Sequence, residues 1–203
     1  LDSMDDYMFT GKYDINEHFS SIHCDLSKEI SNVSFTLDPN DDDDLTIFEE
    51  LFIYKNHPKV ESLTEIYLKN NKFRNKDKVK LLKCMRDSYA SLFKIVDIDT
   101  SDGYVTYEDV FTNKKYKVID IAMSSSIAVT KERTIYFYNR IITVDDISFG
   151  TGIHCVMTSD NSRLMQFIKK YKNKKCSDFA RCITLYAIAQ EERGIKINSN
   201  NSY

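Results

Sequence analysis

The residues whose types and spacing invite chemistry are mostly acids. Asp38, Asn40, Asp42 and Asp44 occupy positions 1, 3, 5 and 7 of a twelve-residue frame, with Leu45 at the apolar position 8 and Glu49 at position 12. That is the ligand order of a calcium loop. The frame fails at its turn, where Asp43 stands in place of the required glycine and Pro39 follows the first ligand. The preceding Val33–Leu37 alternates like a strand, whereas such a loop needs a helix before it. Acids also favour a helix N-terminus through the macrodipole. Asp38, Asp41, Asp42, Asp43 and Asp44 are therefore read as a helix lead and an acidic interaction surface, with no metal.

A second acidic cluster, Asp97-Ile-Asp99-Thr-Ser-Asp102-Gly103, fits the calcium frame in neither register, because either Ile98 or Asp102 falls on a forbidden position. A hairpin with Gly103 supplying the unusual backbone angles explains the same residues. Asp97, Asp99, Asp109 and Asp120 lie on neighbouring strand segments. If Asp97, Asp99 and Asp109 converged, they would suit a metal-dependent phosphodiesterase-like site, the second alternative for function. Otherwise they are ordinary acids on the wet face of a sheet. The cysteines Cys24, Cys84, Cys155, Cys176 and Cys182 lack the close pairing of zinc sites, and His23-Cys24 and His154-Cys155 are adjacent pairs that a strand would point to opposite faces. No nucleophile elbow, phosphate loop, dinucleotide turn or His-Glu-x-x-His pair occurs. No catalytic residue, metal or cofactor is expected.

Basic residues form two stretches. The first holds Lys69, Lys72, Arg74, Lys76 and Lys80. The second is Lys169-Lys170-Tyr171-Lys172-Asn173-Lys174-Lys175. Lys169, Lys170, Lys172, Lys174 and Lys175 link two helices and, with the first stretch, offer faces for an anionic partner. Tyr136, Tyr138 and Arg140 on one strand would add stacking and phosphate contact. Charge is divided unevenly. Residues 1–50 carry 14 acids and 2 bases, a net of −12, and the remainder 17 acids and 26 bases, a net of +9. Opposed halves of this kind dock on one another or leave a basic surface for a partner.

The elements that must position these groups follow from periodicity. At 203 residues and 42% hydrophobic, with only 5 Gly and 2 Pro, the chain reads as one domain with tight connections. Residues 1–41 are acidic and partly irregular. Residues 42–90 are helical: Leu45–Tyr54 suits a buried helix stopped by Pro58, Ser62 with Glu65 forms a capping box for Leu63–Asn70, and a third helix covers about Lys76–Ser88. Residues 91–158 form a run of strands, rich in β-branched and aromatic residues, with turns at Ser101–Gly103 and Asn113–Lys114. The strand that includes Tyr116–Ile119 is expected to continue through Asp120 to Ala122. Residues 159–193 give two amphipathic helices, one with Leu164, Phe167, Ile168 and Tyr171 behind a Ser159/Asp160 start, the other with Phe179, Cys182, Ile183 and Tyr186. Residues 194–203 are a loose tail. The fold class is α+β, with a strongly twisted antiparallel sheet of about five strands that can curl into a half-barrel, flanked by N- and C-terminal helices.

The order Phe48-x₃-Phe52, Leu63-Thr-Glu-Ile-Tyr-Leu68, Leu81-Leu82 with Asp87-Ser88, Leu92-Phe93-Lys-Ile-Val-Asp97, Glu108 to Val118 and the serines at 124–126 resembles uncharacterised bacterial proteins in which a helical segment and a small β-module precede a SEC-C zinc motif. The resemblance covers about residues 42–150. Asn113 stands where those proteins commonly have glycine, and the cysteine-rich zinc motif is absent, so zinc-dependent recruitment does not carry over. The resemblance implies fold more than activity.

No apolar run approaches 18 residues and no signal-like segment opens the chain, which predicts neither membrane spanning nor secretion. Five unpaired cysteines suit a reducing, cytoplasmic setting. The leading expectation is a non-enzymatic binding or regulatory protein, inhibitor- or immunity-like, of bacterial or phage origin, acting on a protein partner. The alternative is a nucleic-acid-binding module using the basic helices. A homo-oligomer is left open.

Overall fold

The computed structural model describes residues 47, 50, 51, 53, 54, 61–126, 134–172 and 181–191, with Ser126, Ile153 and His154 followed along the backbone only. Helix α1 (Leu63–Asn70) begins as its sequence dictates. The Ser62 hydroxyl accepts from the Glu65 N–H, and the Glu65 carboxylate accepts from the Ser62 N–H. Helix α2 (Lys76–Arg86) is capped by Asn75, whose side-chain oxygen accepts from Asp77 and Lys78 N–H groups at 2.8 and 3.2 Å. It stops two residues short of the expected Ser88.

Five strands follow: β1 (Tyr89–Asp99), β2 (Tyr104–Asp109), β3 (Lys115–Ile119), β4 (Ile135–Val144) and β5 (Ile147–Thr158). Short helix α3 (Ile121–Ser126) separates β3 from β4, α4 (Ser162–Tyr171) follows β5, and residues 181–191 are helical (α5). The strands close into a barrel in the order β1-β2-β3-β5-β4. The α+β class, with a five-strand sheet between helices, is as expected, and two of its details are corrected. The sheet closes into a full barrel, beyond a half-barrel, and one of its contacts is parallel, where β3 meets β5 at Ile119 and Phe149. Closure needs strong bending, which irregularities supply. β1 bulges against β2 between Ile95 and Asp97, just past the end of its β4 ladder at Lys94. β5 shifts register twice against β4 and holds Gly152 and Cys155 at positive φ.

A third correction concerns Asp120. The strand ends at Ile119, since the Asp120 carboxylate accepts from the Met123 N–H at 2.9 Å and its carbonyl from the Ser124 N–H. An acid that caps a helix cannot also continue a ladder. Likewise Asn161, not Ser159 or Asp160, caps α4.

Three apolar clusters hold the molecule. Phe93, Val105, Tyr107, Val118, Phe137 and Ile141 fill the barrel. The outer side of β1 and β4, through Leu92 and Tyr138, meets Leu164 and Phe167 of α4 and Ile183 and Tyr186 of α5. Ile142 meets Tyr54, Leu63, Tyr67 and Leu82 beneath α1 and α2. β4 is thus buried on both faces, which overturns the reading of Tyr136, Tyr138 and Arg140 as a nucleic-acid contact. Tyr138 is fully buried and half-buried Tyr136 packs on the same cluster.

Arg140 is buried in an ion pair. Its Nε donates to Glu50 Oε1 at 2.5 Å, Nη1 donates to the Ser88 hydroxyl at 3.0 Å, and the guanidinium lies 4.3 Å from the Tyr54 ring centre. Burial lifts the Glu50 carboxyl above its ordinary range, with Arg140 pulling the other way. Burial also opposes the Arg140 charge, but the Glu50 carboxylate outweighs it and holds the guanidinium protonated. The pair ties the helical residues around Glu50 to the barrel wall.

Candidate nucleic-acid interface

Among the described residues, helices cover β1 and β4 and leave open the outer face of β2 and β3 and the adjoining half of β1. Alternation builds it. Val105, Tyr107 and Asp109 point inward and are buried, leaving Tyr104, Thr106 and Glu108 outward. Directly opposed residues share a face, so the register gives three rows: Lys94–Glu108–Lys115, Asp97–Thr106–Lys117 and Asp99–Tyr104–Ile119. Lys115 and Lys117 are exposed, and the Lys117 ammonium sits 4.2 Å from the Tyr104 ring centre. Lys94 donates to Glu108 at 2.7 Å.

The electrostatics of this face are basic around Glu108. The hydrogen bond from Lys94 holds its carboxyl below the ordinary range; desolvation opposes it, and the charges of Lys94, Lys115 and Lys172 add lesser pulls downward. Lys172, just past α4, adds its charge to Glu108 from a distance. The Asp99 carboxyl is also lowered, first by the Ser101 hydroxyl and then by the Asp102 N–H, with Lys117 adding to the effect. Asp99 thus belongs to the β1–β2 turn, where Gly103 takes the positive φ.

The carboxylates proposed to converge do not. Asp97 and Asp99 lie toward one end of the β1–β2 pair, while Asp109 faces Phe93 at the other. Asp109 is buried and accepts from the Tyr89 hydroxyl at 2.5 Å and from the Phe111 and Thr112 N–H groups. Asp120 accepts from the Tyr107 hydroxyl at 2.6 Å besides capping α3. Asp109 and Asp120 are thus occupied in different places. Among the described residues no group of three His, Cys, Asp or Glu side chains is arranged to hold a metal.

The basic helices are dispersed. Lys69 pairs with Glu61, and Lys80 with Asp145 at 2.5 Å. Lys72, Arg74 and Lys76 are exposed around the start of α2, and Lys169 and Lys170 near the end of α4. Of the ten basic residues singled out, Lys172 is the one whose charge is felt at Glu108 on the barrel face. Lys174 and Lys175, and the acidic set Asp38, Asp41, Asp42, Asp43 and Asp44, lie outside the described residues. The face itself was missed. Its signal was the alternation Lys115-Tyr-Lys117-Val beside Tyr104, which is plain once the strands are paired.

Strand order, the parallel β3–β5 contact and a helix between β3 and β4 define a Greek-key barrel of the OB type. The chain belongs to the family of unknown function DUF7986, whose model matches residues 20–200. Comparison with curated proteins and with solved structures gave no match. No helix among the described residues is long and apolar enough to cross a membrane.

Proposed function

We propose that the chain is a non-enzymatic cytosolic binding protein whose barrel face takes single-stranded nucleic acid. The observation that carries this reading is the Tyr104–Lys117 pair on a face that the described residues leave open, with Lys115 on the same strand and the charge of Lys172 reaching Glu108. A strand needs phosphate contacts from flexible cations and a ring on which a base can stack, and Tyr104 with these lysines supplies both. A ring on a sheet reaches splayed bases, which favours single strands over duplex. The OB-type topology supports the same reading by analogy of fold alone.

The test is fluorescence anisotropy with labelled mixed-sequence single strands of DNA and RNA across a salt series. Lys115, Lys117 and Lys172, which have no ion-pair partner among the described residues, predict a log–log salt slope of about −2. Lys115→Ala with Lys117→Ala should flatten it by about 1.4, two thirds of that slope. No retention at low salt refutes the reading.

A second reading is favoured by the division of charge between residues 1–50 and the rest: an inhibitor-like protein whose acidic segment engages a basic protein partner. It predicts that replacing Asp41–Asp44 by asparagine abolishes complex formation while leaving any oligonucleotide binding intact.

A further inference from the structure

We infer that the mouth of the barrel beside α2 is a second site, one that takes a nucleoside phosphate. A cleft of about 620 Å³ opens there, between the second half of α2, the start of β1, the β2–β3 turn and the end of β4. That volume suits a small molecule rather than a protein segment. Three lysines line it, Lys80, Lys83 and Lys114, against one acid, Asp87, which Arg86 grips through both its Nε and Nη2. Among the described residues neither Lys83 nor Lys114 has an ion-pair partner. Among the same residues Lys80 pairs with Asp145, and that pair is exposed and screened. The cleft is therefore positive and selects an anion.

One wall is aromatic. The Tyr89 and Tyr116 rings stack with centres 5.8 Å apart and planes at 22°. Tyr89 is fixed in place by its hydroxyl bond to Asp109, and Lys114 lies 4.7 Å from the Tyr116 ring centre. Ile141 and Cys84 complete the apolar lining. A planar ring fits the tyrosine wall while phosphates reach the ammonium groups, which bind phosphate as point charges. Both a free nucleotide and the phosphorylated end of a strand carry this chemistry. The site is separate from the β2–β3 face, so it stands whether or not that face binds nucleic acid.

Isothermal titration calorimetry of the whole chain with ADP, AMP and inorganic phosphate tests the inference. ADP should bind more tightly than phosphate. Lys83→Ala with Lys114→Ala should weaken ADP roughly a hundredfold, about tenfold for each lost charged contact. Lys72→Ala with Arg74→Ala, on the exposed approach to α2, should leave it unchanged. Because Cys84 lines the cleft, ADP should also slow its modification by a maleimide, a readout that needs no variant. Displacement of ADP by a 5′-phosphorylated oligonucleotide but not by its unphosphorylated twin assigns the ligand to strand ends, and failure of both to displace it assigns a free nucleotide. Absence of ADP binding, equal binding by the double variant, no protection of Cys84, or phosphate binding as tightly as ADP overturns the inference.

Discussion

Replacing Arg140 by methionine removes the cation from a pair whose side chains are 3% and 2% exposed and whose atoms meet at 2.5 Å. The methionine fills much of the same volume, so the loss is chiefly electrostatic. A buried carboxylate left behind costs about 3–5 kcal/mol, whereas replacing both members by apolar residues is often neutral. With a urea slope of about 2 kcal/mol per molar, the unfolding midpoint of Arg140→Met should fall by roughly 1.5–2.5 M. Adding Glu50→Leu should recover most of it, giving a large coupling in the double-mutant cycle. The pH dependence has a definite sign. Without Arg140, burial outweighs the weaker opposing pull of the Thr151 hydroxyl on Glu50, so its folded pKa rises further above the ordinary 4.5. A folded pKa raised above the unfolded value gives stability that is present below about pH 4.5 and lost as pH climbs through the folded value. The deficit of the variant should therefore be smallest in acid and grow toward neutrality. Urea unfolding followed by circular dichroism at several pH values measures this. A loss below about 1 kcal/mol, independent of pH, would refute the buried pair.

Other outcomes follow from single contacts. Asn139 is fully buried, neither its side-chain oxygen nor its nitrogen has a hydrogen-bond partner among the described residues, and a Cβ at Gly150 would come within 2.6 Å of its nitrogen. Gly150→Ala should cost about 1–3 kcal/mol in thermal unfolding, while Asn139→Leu, which removes an unsatisfied amide at similar volume, should be neutral or stabilising. Burial first, then the bond to Asp109, pushes the Tyr89 phenol up to about 12. Its contribution to stability is present below pH 10 and is lost as pH rises from 10 toward 12. In an alkaline titration read by phenolate absorbance, Tyr89→Phe should remove a phenol that ionises near that upper value. Ser62→Ala breaks the capping box of α1 and should cost about 0.5–2 kcal/mol by denaturant unfolding.

Local signals in the sequence carried the local structure. Ser62 with Glu65 placed the start of α1, and turn residues placed both early hairpins, with Asn113 taking positive φ where glycine is usual. Closure of the barrel was not legible, because it rests on a single parallel contact between Ile119 and Phe149, thirty residues apart. Nor was the burial of Arg140. On a strand covered on both faces, alternation no longer separates inside from outside, so Tyr136, Tyr138 and Arg140 look like a surface row although helices cover them. The candidate face was hidden for the opposite reason. Lys115 and Lys117 are few beside the lysine-rich helices, and only pairing with Thr106 and Glu108 shows that they sit beside Tyr104 on the open side.

Lysine acetylation mapped by mass spectrometry, with and without a saturating single strand, tests the central claim most directly. Lys115, Lys117 and Lys172 should be protected by the strand while Lys72 and Lys76 stay as reactive as before. Protection of Lys72 and Lys76 with none on β3, or no protection anywhere, would contradict a nucleic-acid site on the barrel face.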